Sequence, residues 1–316
     1  MKARSKSRCG PLARVLSNPL LTLAAAAALW SLPRSAQATL FVGSDFNSNV
    51  GKYDDATGAA INANFITGVS TPEGLLLSGN TLFVSSNQGH SVGTYDATTG
   101  AAINASFISA VNGPYELALA GNHLFVATFA FGLSEYDATT GALISQSFLT
   151  GLGGGIFGVA LSGNNLFVSV QAAGIVGEYD ATTGAAINAN FATGLNNPVG
   201  LAVSGNNLFV AIAGGAGSVN EYDTTTATPI NSGFFAGVSA PFALAVSGNN
   251  LFEAQEAGTG SVGKYDTTTG VAINAGFITG DRQPTSLAFG VPEPSSLAGL
   301  FLGASVLAWR HRQRQA

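Results

Sequence analysis

Between Thr39 and Gly290, short apolar runs alternate with turns rich in Gly, Asn and Thr, and the whole alternation is written six times. Leu-Phe recurs at Leu40, Leu82, Leu124, Leu166, Leu208 and Leu251, in steps of 42, 42, 42, 42 and 43 residues. Tyr-Asp recurs in phase at Tyr53, Tyr95, Tyr136, Tyr179, Tyr222 and Tyr265. The fourth unit predicts a strand from Pro198 to Ser204, a turn at Gly205-Asn206 and a second strand over Leu208 to Ala211. A Gly-rich loop then leads to a third strand from Ser218 to Tyr222, a turn over Asp223 to Thr226, and an outer strand around Ile230 to Phe234. The first two runs are apolar on both faces, as expected of a sheet sandwiched between neighbours. Four strands in a period near 40 make one β-propeller blade.

Gly-Asn, a hairpin signal because both residues tolerate positive φ, occurs at Gly79, Gly121, Gly163, Gly205 and Gly248, five times for six repeats. The chain begins on a second strand (Leu40-Phe41-Val42) and ends on a first strand (Pro284 to Phe289). Pairing those two segments would supply the missing hairpin, close the ring and remove the open edges. The expected fold is therefore all-β: a six-bladed propeller of four-stranded antiparallel blades, closed by its N- and C-terminal strands. A β-solenoid is the alternative, but it gives no reason for complementary ends. In the closed ring the Gly-Asn and Asp-Thr-Thr-Gly turns share one uniform face with both strand ends, and the variable loops share the other.

Charge separates the chain into three parts. Residues 1–38 hold six basic residues and no acid; residues 39–290 hold Lys52, Lys264 and Arg282 against sixteen carboxylates; the tail adds Arg310, Arg312 and Arg314 against Glu293. An acidic repeat region argues against nucleic acid as its partner and against an anionic membrane surface. The basic start, the apolar run from Leu20 to Leu32 and the small residues Ala36-Gln37-Ala38 read as a signal peptide, cleaved before Thr39. The lone cysteine, Cys9, precedes the apolar run, so the repeat region has no disulfide and relies on core burial.

At the other end, Pro292, Glu293 and Pro294 are followed by an apolar run from Leu297 to Trp309 and the cluster Arg310-His311-Arg312-Gln313-Arg314. This order resembles the PEP-CTERM sorting signal. The resemblance covers residues 291–316 and implies processing by an exosortase and transfer to the cell surface or its exopolysaccharide matrix. About 13 apolar residues are short for a span of about 20, and a simple tail anchor is the alternative. Membrane contact is expected only through the terminal signals. The repeated Gly-Leu-Ala-Val, Leu-Phe-Val-Ala and Tyr-Asp-x-Thr-Thr-Gly pattern over 39–290 resembles the NHL and YVTN propeller repeats, which implies a fold and leaves function open.

Chemistry is sparse. The six aspartates after tyrosine (54, 96, 137, 180, 223 and 266) are candidates for calcium, but Thr-Thr lacks the alternating oxygen ligands of a calcium loop, and bonding to the turn's own backbone is the simpler role. Ala227 replaces the turn glycine in one unit, which predicts a local alteration there. The inner strands would bring Glu73, Tyr115, Phe157, Val199, Phe242 and Thr285 to the channel mouth, with Glu116 one residue further in. Loop residues Asp45, Asn87 and Asp281 could approach them, and Phe129 and Phe131 stand out in the third loop set. His123 occupies a hairpin position and reads as a solvated turn residue; His90 lies in a variable loop. Glu253 stands where the other repeats have Val42, Val84, Val126, Val168 and Val210, a charge in a buried strand; it either faces the channel near Glu256 or is neutral and hydrogen-bonded.

The sequence thus points to an exported, surface-sorted propeller acting as a non-catalytic binding or matrix module, with Glu73, Glu116, Glu253 and Glu256 as candidate ligand contacts, no cofactor, and exopolysaccharide or surface proteins as partners. The alternative is a lactonase-like or streptogramin-lyase-like enzyme working at the channel mouth through Glu73, Glu116 and His90. Both tryptophans, Trp30 and Trp309, lie in the terminal segments. A protein processed at both ends will therefore show tyrosine but no tryptophan fluorescence and an intact mass beginning at Thr39; tryptophan emission from the purified surface form would contradict this.

Overall fold

The computed structural model describes residues 38–290 except 130, 131, 154, 258 and 259; the signal-peptide and sorting-signal expectations, and Phe131, fall outside the described residues. Six four-stranded antiparallel sheets form a closed β-propeller. Blade 1 contains β1 (Thr39–Ser44), β2 (Asn49–Asp54) and β3 (Ala60–Thr67). Blade 2 runs β4 (Pro72–Ser78), β5 (Thr81–Ser86), β6 (Ser91–Asp96) and β7 (Ala102–Ser109), and blade 3 runs β8 (Pro114–Ala120), β9 (His123–Thr128), β10 (Gly132–Asp137) and β11 (Leu143–Leu149). Blade 4 follows with β12 (Ile156–Ser162), β13 (Asn165–Val170), β14 (Ile175–Asp180) and β15 (Ala186–Ala192). Blade 5 holds β16 (Pro198–Ser204), β17 (Asn207–Ile212), β18 (Ser218–Asp223) and β19 (Pro229–Ala236). Blade 6 holds β20 (Pro241–Ser247), β21 (Asn250–Gln255), β22 (Ser261–Asp266) and β23 (Ala272–Thr279), and β24 (Pro284–Gly290) returns to blade 1. Among the described residues no helix is long and apolar enough to cross a membrane.

Closure is the predicted one. β24 pairs antiparallel with β1 from Thr39↔Gly290 to Gly43↔Ser286, so the inner strand of blade 1 comes from the far end of the repeat region. The joint is tied to its neighbour as well: Thr285 Oγ1 and Ser286 Oγ each donate to the Pro72 carbonyl at 2.8 Å. Four inner strands begin with a proline preceded by a non-glycine residue at positive φ, namely Thr71, Asn197, Ala240 and Gln283.

The core lies between blades. Phe41, Phe125, Phe167, Phe209 and Phe252, on five of the six second strands, are essentially inaccessible, and Phe83 on the sixth is buried too. Phe41, Val50 and Phe65 of blade 1, for example, pack with Leu75, Leu82 and Val84 of blade 2. Near the axis, glycine permits strands to approach more closely than side chains would: a Cβ on Gly74, Gly158 or Gly200 would lie 2.3, 2.2 or 2.4 Å from the carbonyl oxygen of Tyr115, Val199 or Phe242 on the next inner strand. The outermost strands repeat another feature. Each carries an isoleucine at the same place (Ile61, Ile103, Ile144, Ile187, Ile230 and Ile273), 51–60% exposed.

The aspartate turns are structural. Asp96 Oδ1 accepts from the Thr98 and Thr99 amides and from Thr99 Oγ1, and Oδ2 accepts from Asn80 Nδ2 in the neighbouring Gly-Asn hairpin. Asp137 and Asp180 repeat this with Asn122 and Asn164. These bonds hold the carboxyls below their ordinary range. The expected distortion at Ala227 is confined to side chains: Ala227 adopts φ 56°, and its amide bonds to the Asp223 carbonyl at 3.0 Å as glycine does elsewhere. What changes is that Thr226 Oγ1 contacts Thr228 Oγ1 while Asp223 takes Thr225 Oγ1 instead.

Deleting residues 284–290 leaves β1 as an open edge and removes two hydroxyl ties to blade 2. The expected outcome is loss of the single cooperative urea transition together with self-association in sedimentation velocity; a monomer with an unchanged midpoint would show that closure contributes little.

Candidate functional site at the channel mouth

Two concentric sets of side chains surround the mouth on the variable face. The inner set comes from the starts of the inner strands: Thr285, Glu73, Tyr115, Phe157, Val199 and Phe242, blade by blade. The second comes from the first residue after each second strand: Asp45, Asn87, Phe129, Gln171, Ala213 and Glu256. Backbone bonds fix this second set, because the amides of Asp45, Asn87, Ala213 and Glu256 donate at 2.9–3.1 Å to the carbonyls of Gln283, Thr71, Asn197 and Ala240, each the residue before an inner-strand proline. Irregular pairing at the start of β4 and β8 accompanies Glu73 and Glu116. Such irregularities re-aim side chains beside sites.

The mouth is chemically divided. Tyr115 and Phe157 pack at a tilt of 39° with centroids 4.3 Å apart, and Phe129 and Phe242 meet Phe157 edge-on at 6.2 and 6.4 Å. The carboxyls of Glu73, Glu256 and Asp45 lie close enough to act on one another, Glu73 and Glu256 also act on Tyr115, and Glu116 follows Tyr115 on the same strand. Burial raises Glu73 to about 8, and the charges of Asp45, Glu256 and Glu116 add to the rise. Burial likewise raises Glu116 to about 8, against a backbone bond that lowers it. Glu256 is raised by burial and then by Asp45, and Asp45 by burial. Glu73 Oε2 is a buried oxygen without a hydrogen-bond partner. At neutral pH, then, Glu73 and Glu116 are mainly carboxylic acids, able to donate as well as accept.

The other sequence candidates lie elsewhere. Glu253 is fully buried and accepts one bond from Gln255 Nε2 at 3.0 Å, leaving Oε1 unpartnered. It faces Gly263 across the sheet, under the Tyr265 ring, and its neutral, hydrogen-bonded form is the one this setting favours over a channel-facing charge. Burial lifts it to about 8, and burial followed by the Glu253 charge pushes Tyr265 to about 12. His90 adopts φ 49°, and its Nδ1 accepts the Gly113 amide at 3.3 Å, so it braces the loop. His123 is exposed as expected but contacts Glu135 through Nδ1. Asp281 is held by Tyr53 Oη at 2.9 Å and Asn47 Nδ2 at 3.2 Å. Among the described residues, no three of His, Cys, Asp and Glu gather as a metal-ligand set. The second set around the mouth was not assembled from sequence; aligning the repeats on the residue after the second strand would have found it.

Glu253 yields a measurable consequence. Its folded pKa lies above the ordinary 4.5, so the native state holds the extra proton between roughly 4.5 and 8, and stability falls as pH rises through that window. Glu253→Val should flatten this part of the urea-stability profile and raise stability at pH 9 by about 2 kcal/mol; an unchanged slope would locate the titration in the half-buried Glu73 and Glu116.

Comparison with known proteins extends the architecture and no further. The chain resembles in fold a chain in the crystal structure of a nidogen/laminin complex, with TM-score 0.66 and 13% identity over 81% of this chain and 100% of that one. A computationally designed protein, Ika8, aligns at TM-score 0.47 and 17% identity over 79% of this chain and 74% of that one. Neither a family model nor a curated protein matches the sequence. What is established is the fold, a six-bladed β-propeller.

Proposed function

We propose that this protein is an exported, surface-sorted binding module that receives a neutral sugar residue of an extracellular polysaccharide at the channel mouth. The observation that carries the reading is the close tilted pair of Tyr115 and Phe157, flanked by Phe129 and Phe242, with the carboxyls of Glu73 and Glu116 beside it and burial favouring their neutral form. Aromatic faces take the C–H face of a pyranose, and neutral carboxyls exchange hydrogen bonds with its hydroxyls without desolvating a charge. The signal peptide at 1–38 and the PEP-CTERM-like tail at 291–316 support export and sorting by an exosortase, and the repeat pattern supports descent from NHL- or YVTN-type propellers. Thr39 and Gly290 both end at the uniform face, so a tether from the C-terminal tail would leave the mouth facing outward. The similar chain belongs to a complex of two proteins, which supports the same scaffold serving as a recognition platform, with surface proteins as the further class of partner.

A glycan array probed with the full chain, followed by titration of the best neutral glycan, tests this. Tyr115→Ala and Phe157→Ala should each weaken binding about tenfold or more, and binding should weaken above pH about 8, where Glu73 and Glu116 ionise. Failure of every glycan to bind, or turnover of a lactone that depends on added divalent metal and on Glu73, would replace the reading with the enzymatic one.

A further inference from the structure

A second site lies on the opposite side of the fold, independent of the mouth. Each core phenylalanine of a second strand faces one residue of the third strand, and that residue varies: Lys52, Thr94, Glu135, Glu178, Glu221 and Lys264 oppose Phe41, Phe83, Phe125, Phe167, Phe209 and Phe252. In blade 1, Lys52 Nζ lies 5.4 and 4.9 Å from the ring centroids of Phe41 and Phe65 and donates to the Ala97 carbonyl of blade 2 at 2.9 Å. Lys264 repeats this in blade 6, 5.2 and 5.0 Å from Phe252 and Phe277, donating to the Asp55 carbonyl of blade 1 at 3.1 Å. The groove between blades is thus built to hold a lysine: two rings for the ammonium, apolar walls for the stem, and a turn carbonyl of the next blade.

In blades 3 to 5 a glutamate takes the position and bonds within its own blade, to His123, Asn165 or Asn207. Blade 2 alone has a short residue. Thr94 turns its hydroxyl to the Asn104 carbonyl at 3.4 Å, and the ring pair remains, with Phe83 and Phe107 at 5.7 Å against 5.5 and 5.3 Å in the lysine-filled blades. The result is a cavity of about 510 Å³ bounded by these rings, Thr94 and Ala138. Ala138 is the counterpart of Ala97; both amides bond to a hairpin asparagine carbonyl, Asn122 or Asn80. Asn122 and Thr139 stand at the rim.

We propose that this groove between blades 2 and 3 is a docking site for a lysine side chain of a partner protein. The rings and the apolar walls take the side chain as blades 1 and 6 take their own, and sixteen carboxylates against three basic residues over 39–290 draw a cationic surface toward it.

The test is calorimetric titration of the full chain with N-acetyl-lysine methylamide, N-acetyl-norleucine methylamide and cadaverine. The lysine amide should bind at one site per chain, with the uncharged norleucine amide about tenfold weaker or worse. Thr94→Lys supplies the side chain internally, as in blades 1 and 6, and should abolish binding with an unchanged circular-dichroism spectrum. Lys52→Thr should open a second groove and raise the stoichiometry to two; if that variant does not fold, Thr94→Lys decides alone. Equal binding of the lysine and norleucine amides, undiminished binding to Thr94→Lys, or binding of cadaverine without the lysine amide would each overturn the proposal.

Discussion

The antiparallel pairing of β1 with β24 is the constraint on which the molecule depends. It joins segments from opposite ends of the repeat region into one sheet, and it has no disulfide or metal ligand to reinforce it among the described residues. Backbone hydrogen bonds, the two hydroxyls on the Pro72 carbonyl and burial of Leu40 and Phe41 between blades carry it. Everything else follows from the closed ring: six inner strands converge, their starts form a mouth, and glycines at Gly74, Gly158 and Gly200 let them approach to backbone contact. An open array would leave the inner strands without a common axis, and Glu73 and Glu256 would have no shared space.

Much of this was legible in the sequence because a repeat imposes the same physical demands six times. The strand Pro198–Ser204 and the return of the last segment to the first were readable from apolar runs and turn residues alone. The mouth was half legible. Inner-strand positions stay in register between repeats, so Glu73 and Tyr115 could be placed; Asp45, Phe129 and Glu256 begin loops of differing length, and their equivalence shows only when the repeats are aligned on the residue after the second strand. Glu253 was conspicuous as a departure from five valines, yet the pleat, which the sequence does not display, sends it under Tyr265 and away from Glu256. Ala227 shows the reverse case: a residue disfavoured at positive φ holds the turn because the surrounding hydrogen bonds over-determine it.

The contrast between constant and variable positions divides the surface by task. Turns that tie Asp96 to Asn80, or Asp137 to Asn122, recur almost unchanged and link neighbouring hairpins across the uniform face. The mouth residues vary from blade to blade, and the third-strand position is lysine in two blades, threonine in one and glutamate in three. Variation at positions whose backbone setting is constant is where a repeat protein can acquire chemistry without unsettling its fold.

The isoleucines on the outermost strands add a different property. Six isoleucines, Ile61 through Ile273, stand exposed at one equivalent place on the outermost strand of each blade. Each leaves apolar surface in water, so the fold forgoes the same burial once in every blade.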